Sequence, residues 1–98
     1  MTDRIFFDSA AQREFDEAAD FYDLESPGLG ERFINAVYSA LEGLSEYPES
    51  CPVLLGETRK LVLGRFPYSV MYWTNGEVIA VSAIAHQSRR PGYWQNRS

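Results

Sequence analysis

The chain has 98 residues, 45% of them hydrophobic, and a formal net charge of −5. This length supports one domain over residues 1–98 with one modest core, and the apolar content is too high for a disordered tail. No run of about 18 apolar residues could cross a membrane, and the first ten residues do not resemble a secretory signal. A single cysteine cannot form an internal disulfide, and with one histidine it cannot make an ordinary zinc site. We therefore expect a cytoplasmic protein.

The charges are unevenly distributed along the chain. Residues 1–57 hold 13 acidic and 3 basic residues, a net of −10, whereas residues 58–98 hold 1 acidic and 6 basic residues, a net of +5. This asymmetry is typical of a protein with a face for an acidic partner. Acidic helix faces are common in any case, so charge alone leaves both interpretations open.

A strand and a helix are predicted at the start of the chain. Residues 3–7 form a short apolar run that suits a buried strand. A helix is expected from Ser9, which with Gln12 fits a capping box. Its apolar stripe is Ala11, Phe15, Ala18, Ala19 and Tyr22. Its acidic residues are interpreted as a solvated face: Glu14, Asp16, Glu17, Asp20 and Asp23.

A second helix is predicted over residues 31–48, after the helix-breaking stretch SPGLG at 26–30. Tyr47 and Pro48 are expected to end it. Its apolar stripe is Phe33, Val37, Ala40, Leu41 and Leu44. Two helices joined by so short a loop should form an antiparallel hairpin. Residues 49–57 are interpreted as a connection.

From residue 59 onward the pattern changes to that of strands. Residues 59–64 form a short strand candidate, and residues 65–86 suit two strands around a two-residue turn at Asn75 and Gly76. Apolar, β-branched residues make the last strand a central one: Val78, Ile79, Val81 and Ile84. The order β–α–α–β–β–β predicts a two-layer α+β fold, an antiparallel sheet packed on a helical hairpin.

Cations and aromatic rings gather in the second half of the chain. The cations can converge on one side or one end of the sheet: Arg59, Lys60, Arg65, Arg89 and Arg90. Arginines beside Tyr93 and Trp94 suit either RNA or an acidic protein, although both rings could instead cover the core. His86 is the only candidate of its type for acid–base chemistry near neutral pH, or it caps the end of the last strand.

The segment RKLVLGRFPYSVMYWTNGEVIAVSAIAHQSRRPGYW, residues 59–94, resembles the C-terminal half of the RelE/ParE superfamily of bacterial toxins. These are the toxins of type II toxin–antitoxin modules. The carrying features are Arg-x-x-Pro-Tyr at 65–68, Tyr72, and His-x-x-Arg-x-Pro at 86–91. The resemblance implies the superfamily fold, which agrees with the order of elements predicted above.

The resemblance implies one of two activities. RelE-like toxins cut mRNA in the ribosomal A site without a metal, and ParE-like toxins poison DNA gyrase. Where the nucleases carry a Lys-x-Lys pair, this sequence has Lys60-Leu61-Val62, so only the first cation is present. Where they carry an arginine directly after the residue that matches Tyr68, this sequence has Ser69. Where they carry a further basic residue past the last strand, this sequence has Gln87, or Arg89 if the alignment slips by two. Cations are the main resource for stabilising the transition state of metal-free RNA cleavage. The ParE-like branch is therefore favoured.

The resemblance also implies sites and partners. The expected target-binding residues are Arg65, Tyr68, His86, Arg89, Arg90, Tyr93 and Trp94. A nuclease would instead use Lys60, Arg65, His86, Arg89 and Tyr93. A third alternative is a degenerate member that binds only its antitoxin. The antitoxin's disordered tail would fold along the helical hairpin or at the sheet edge formed by Arg59, Lys60, Leu61 and Leu63. We expect no cofactor, no metal, no membrane association and no direct DNA binding.

Overall fold

The computed structural model describes residues 4–95 and 97. Its elements are β1 Ile5–Phe7, α1 Ser9–Glu25, α2 Leu29–Gly43, β2 Val53–Leu55, β3 Thr58–Val62, β4 Tyr68–Thr74 and β5 Ile79–His86. The five strands form one sheet in the order β1-β5-β4-β3-β2, and the helical hairpin packs on one of its faces. The predicted two-layer α+β class is confirmed. No helix within the described residues is long and apolar enough to cross a membrane.

The sheet is mixed, and it holds one strand more than the sequence predicted. β2 to β5 form the expected antiparallel meander, but β1 runs parallel to β5 along its other edge, which makes β5 central. The interpretation of residues 49–57 as a connection was wrong for β2, which pairs with β3. All three side chains of β2 are exposed, so this short edge strand carries no alternation of burial that would reveal it.

The helix boundaries differ from the predicted ones at several points. Asp8, and not Ser9, is the N-cap of α1, because its carboxylate accepts a hydrogen bond from the amide of Ala10 at 3.0 Å. The side chain of Gln12 donates to Asp16 and makes no capping box. α2 begins two residues before the predicted start and ends at Gly43, five residues before the predicted end.

Gly30 explains how the two helices approach each other. It is buried in the first turn of α2, and a Cβ atom there would collide with the backbone oxygen of Ala19. Its amide donates to the carboxylate of Asp23 at 2.8 Å, which ties the start of α2 to α1. Glycine at this position therefore allows close packing of the hairpin.

The main core lies between the hairpin and the sheet and confirms most of the predicted stripes. Phe33 is fully buried, and its ring lies 5.1–5.9 Å from the rings of Phe15, Tyr22, Phe66 and Tyr68. The buried stripe residues are Ala11, Phe15, Ala18, Ala19, Phe33, Val37, Leu41 and Leu44. Ala40 and Tyr22 are only half-buried beside it.

The hairpin between β4 and β5 has the predicted turn residues but a longer connection. Thr74 pairs with Ile79, so four residues lie between the strands, where the sequence predicted two. The side chain of Asn75 accepts hydrogen bonds from the amides of Glu77 and Val78, and Gly76 takes a φ of 96°. The side-chain bonds of Asn75 stabilise the longer turn.

The opposite face of the sheet, called the open face below, is only partly covered. The tail, residues 87–95 and 97, turns back onto it after β5. Trp94 is buried there against Met71, Ala83 and Ala85, so the interpretation of this ring as a cover for the core is confirmed. The covered part of the open face lies beside a cleft.

Candidate functional site

A cleft of about 540 Å³ lies on the open face between β2 and the tail. Side chains of β3, β4 and β5 form its floor, since alternate residues of a strand point to the same face of a sheet. It is lined by Leu54, Leu55, Lys60, Ser69, Met71, Ala85, His86, Gln87, Arg89, Arg90, Pro91, Gly92, Tyr93, Trp94 and Gln95. The cleft therefore lies between β2, which was not predicted as a strand, and the tail, whose cations and rings were predicted as a candidate site.

The cleft is basic although the whole chain is acidic. Lys60, Arg89 and Arg90 line it together with His86, and no acidic residue is among the described residues that do so. Leu54, Leu55 and Met71 supply an apolar surface between these groups. A cleft with this combination suits a ligand that is both anionic and apolar.

Strand alternation decides which cations of β3 reach the cleft. Lys60 lies opposite Met71 and faces the cleft. Arg59 lies opposite Tyr72, a residue of the main core, so it belongs to the other face. Its guanidinium donates to the carbonyl oxygens of Glu49 at 2.9 Å and Cys51 at 2.6 Å, and thereby holds the connection after α2.

The other predicted cations are only partly brought together. Arg65 is exposed in the loop between β3 and β4, at the end of the sheet where β5 finishes, but it does not line the cleft. Arg89 and Arg90 lie on the exposed turn after β5 and do line it. Of the five cations that the sequence grouped, three meet at one site.

His86 caps the end of β5, as one of its two interpretations predicted. Its Nδ1 accepts a hydrogen bond from the amide of Ser88 at 3.0 Å and lies 2.8 Å from the Ser88 hydroxyl. Its ring meets the ring of Tyr68 edge-on at 5.0 Å. Acceptance by Nδ1 assigns the remaining ring proton to Nε2. His86 therefore fixes the turn that carries Arg89.

The phenols of Tyr68 and Tyr93, two of the predicted site residues, stay protonated near neutral pH. The hydroxyl of Tyr93 donates to the Glu14 carboxylate at 2.7 Å, and burial followed by this hydrogen bond raises the pKa of Tyr93 above its ordinary value. Burial likewise raises the pKa of Tyr68. The ring of Tyr93 instead supports Arg89, whose Cζ lies 3.8 Å from the ring centroid.

Sequence reasoning missed Glu14 and Arg97. Glu14 was assigned to a solvated face, but its side chain is 15% exposed and forms an ion pair with Arg97 at 3.0 Å. One local signal was present, since Glu14 lies three residues after Ala11 and four before Ala18 and so borders the apolar stripe. No local signal pointed to Arg97, which lies 83 residues away.

The predicted antitoxin edge is only partly available. Leu63 is buried, and Leu61 packs against the main core. β2 pairs with the first part of β3, where Val53 lies opposite Arg59. Exposed apolar side chains are found instead on β2 itself and, on α1, at Phe21 and Leu24.

Comparison with known proteins adds three findings. The profile of the family described as ParE toxin of type II toxin-antitoxin system, parDE, matches residues 5–91. A protein of Sinorhizobium fredii strain NGR234 named "Putative toxin Y4kP" is 31% identical over 86 residues, which cover 86% of this chain and 90% of that protein. A chain from a structure titled "Chromosomal ParDE TA system from P. aeruginosa" has a TM-score of 0.59 at 20% identity, with 84% of this chain and 92% of that one covered. The similarity to this solved structure supports the α+β fold of the chain.

Proposed function

Because the chain belongs to the ParE toxin family of type II toxin–antitoxin systems, we propose that it inhibits DNA gyrase and is neutralised by a cognate antitoxin. Family membership confirms the resemblance seen in the sequence. The inhibitor acts by binding in the cytoplasm, where gyrase works, and not by catalysis. The cleft on the open face is the surface that meets the target.

The charge of the cleft carries this proposal. Three cations surround an apolar floor in a chain whose net charge is −5. Complementary charge steers encounter and rejects wrong partners, while apolar anchors supply most of the affinity. An acidic protein surface with a protruding apolar side chain satisfies both parts of the cleft.

Two side chains favour binding over RNA cleavage. Ser69 and Val62 occupy positions at which the RelE-like nucleases carry cations. Ser69 lies in the floor of the cleft, and Val62 is exposed on β3. Metal-free cleavage needs cations aimed at the developing charge, and losing one such group costs about 3–4 kcal/mol of transition-state stabilisation. The hydrogen bond from Tyr93 to Glu14 also withdraws a phenol that a nuclease would use.

The antitoxin is proposed to cover exposed apolar side chains on β2 and α1. Val53, Leu54 and Leu55 are each about half exposed, and Leu24 on α1 is 88% exposed. A disordered acidic segment that folds on binding can bury such separate patches together. This contact replaces the predicted one at Leu61 and Leu63, whose side chains face the core.

A supercoiling assay with purified gyrase tests the proposal. Wild-type protein should inhibit supercoiling at micromolar concentration, and the double variant Arg89→Ala, Arg90→Ala should lose most of the inhibition. The matched control Arg13→Ala, Arg32→Ala removes the same charge from exposed positions on the two helices and should inhibit like wild type. No inhibition by wild type, or equal loss in both double variants, would refute the proposal.

A ribosome-dependent nuclease is the second candidate, because Lys60, His86 and Arg89 surround the same cleft. New cuts in mRNA on translating ribosomes, absent from an Arg89→Ala variant, would favour it over gyrase inhibition. The third candidate, a member that only binds its antitoxin, predicts that induction of the chain alone leaves bacterial growth unchanged.

A further inference from the structure

The carboxylate of Glu14 connects three separate parts of the chain by hydrogen bonds: α1, β5 and the tail. Its Oε1 accepts hydrogen bonds from the amide of Ile84 at 3.0 Å and from Nη1 of Arg97 at 3.0 Å. Its Oε2 accepts from the hydroxyl of Tyr93 at 2.7 Å and from Nη2 of Arg97 at 3.1 Å. One carboxylate of α1 thus receives four bonds from β5 and the tail. Its neighbours Asp16, Glu17 and Asp20 on the same helix are exposed.

The position of this carboxylate follows from the short length of β1. β1 pairs with β5 only as far as Val81, and in the part of the chain that the structure describes no strand pairs with β5 beyond that point on this side. There the Glu14 carboxylate accepts a hydrogen bond from the amide of Ile84, and Arg97 donates one to the carbonyl oxygen of Ser82 at 3.1 Å. The ion pair therefore occupies an edge where another strand would otherwise pair.

The same contacts hold the tail in place over the open face. Tyr93 and Arg97 reach around the edge of β5 to Glu14, while Trp94 between them packs on Met71 and Ala83 of the open face. Arg89 lies on the ring of Tyr93 and completes the wall of the cleft. A change at Glu14 would therefore be transmitted through Tyr93 to Arg89.

We propose that Glu14 is a positioning residue of the cleft, which through Tyr93 and Arg97 latches the tail against the sheet and sets the place of Arg89. Glu14 itself does not line the cleft. The inference about target binding rests on the proposed function of the cleft, whereas the latch itself can be measured without any target.

The latch is tested by the fluorescence of Trp94 in the full chain. Trp73 is the other tryptophan, so Trp73→Phe leaves Trp94 as the only reporter. In this background Glu14→Gln should shift emission to longer wavelength and increase quenching by acrylamide. Loss of charge-assisted bonds should reduce the ratio of latched to open tails about tenfold or more. The matched control is Asp20→Asn, which makes the same charge change on an exposed position of α1.

Arg97→Gln breaks the latch from the side of the tail without touching α1 and should give the same shift. Circular dichroism of each variant establishes that the helices remain folded. Unchanged emission and quenching in both Glu14→Gln and Arg97→Gln would overturn the inference, and so would an equal change in Asp20→Asn.

The link to Arg89 is tested by combining variants. If Glu14 acts through Arg89, Glu14→Gln should weaken gyrase inhibition, and the double variant with Arg89→Ala should be no weaker than Arg89→Ala alone. Multiplied losses would overturn the positioning role, because they would indicate independent effects. If wild type does not inhibit gyrase, the proposed function fails, while the fluorescence of Trp94 still decides the latch.

Discussion

Phe33 provides the sharpest test of how the core supports the site. Its side chain is fully buried and contacts four other aromatic rings, including Tyr68, which in turn meets His86 at the end of β5. Replacing a buried phenylalanine by alanine costs about 3–5 kcal/mol, from lost transfer free energy and the cavity left behind. Because the free energy of unfolding of a small domain is only about 5–15 kcal/mol in all, Phe33→Ala should remove a large part of the stability.

Urea unfolding followed by circular dichroism measures this loss. A loss of about 3–5 kcal/mol and a slope of about 1–3 kcal/mol per molar urea together predict that the urea midpoint of Phe33→Ala falls by roughly 1–5 M. The control Phe21→Ala makes the same substitution on the neighbouring helix, where the ring is 52% exposed, and should change the free energy of unfolding by about 1 kcal/mol or less. Similar losses in both variants would refute the assignment of Phe33 to the centre of the core.

Three further predictions concern stability. Burial raises the folded-state pKa of Tyr72 and Tyr93 above the ordinary value near 10. The contribution of the two phenols to the free energy of unfolding is therefore complete below pH 10 and is lost as the pH rises further. Urea midpoints of the wild type should fall above pH 10, and those of the double variant Tyr72→Phe, Tyr93→Phe should fall less. Gly30→Ala should lower the thermal midpoint, because the new Cβ meets the backbone oxygen of Ala19, and an unchanged midpoint would contradict the close packing. Asp8→Ala should cost about 0.5–2 kcal/mol in a urea titration through loss of the N-cap of α1, whereas Ser9→Ala should cost less.

The order of elements and most of the core could be predicted from the sequence, because these depend on local periodicity. The stripe through Phe15 and Phe33 follows from helical spacing, and the strand pattern of β4 and β5 follows from alternation. The tail was also recognisable as a candidate site, since Arg89, Arg90 and the two rings beside them are close together in the chain, and the structure places all four in the lining of the cleft. Short elements without periodicity, such as β2, were not recognisable in this way.

Only the tertiary structure decided which of these residues act together. Alternation on β3 places Lys60 in the cleft and turns Arg59 to the other face, and a shift of one residue in register would have exchanged them. Glu14 and Arg97 are 83 residues apart, and they meet only because β1 is too short to cover the edge of β5. Composition and local pattern determined which helices and strands the chain could form. Strand register and edge pairing determined which charges were brought together, because those contacts join residues that are distant in sequence.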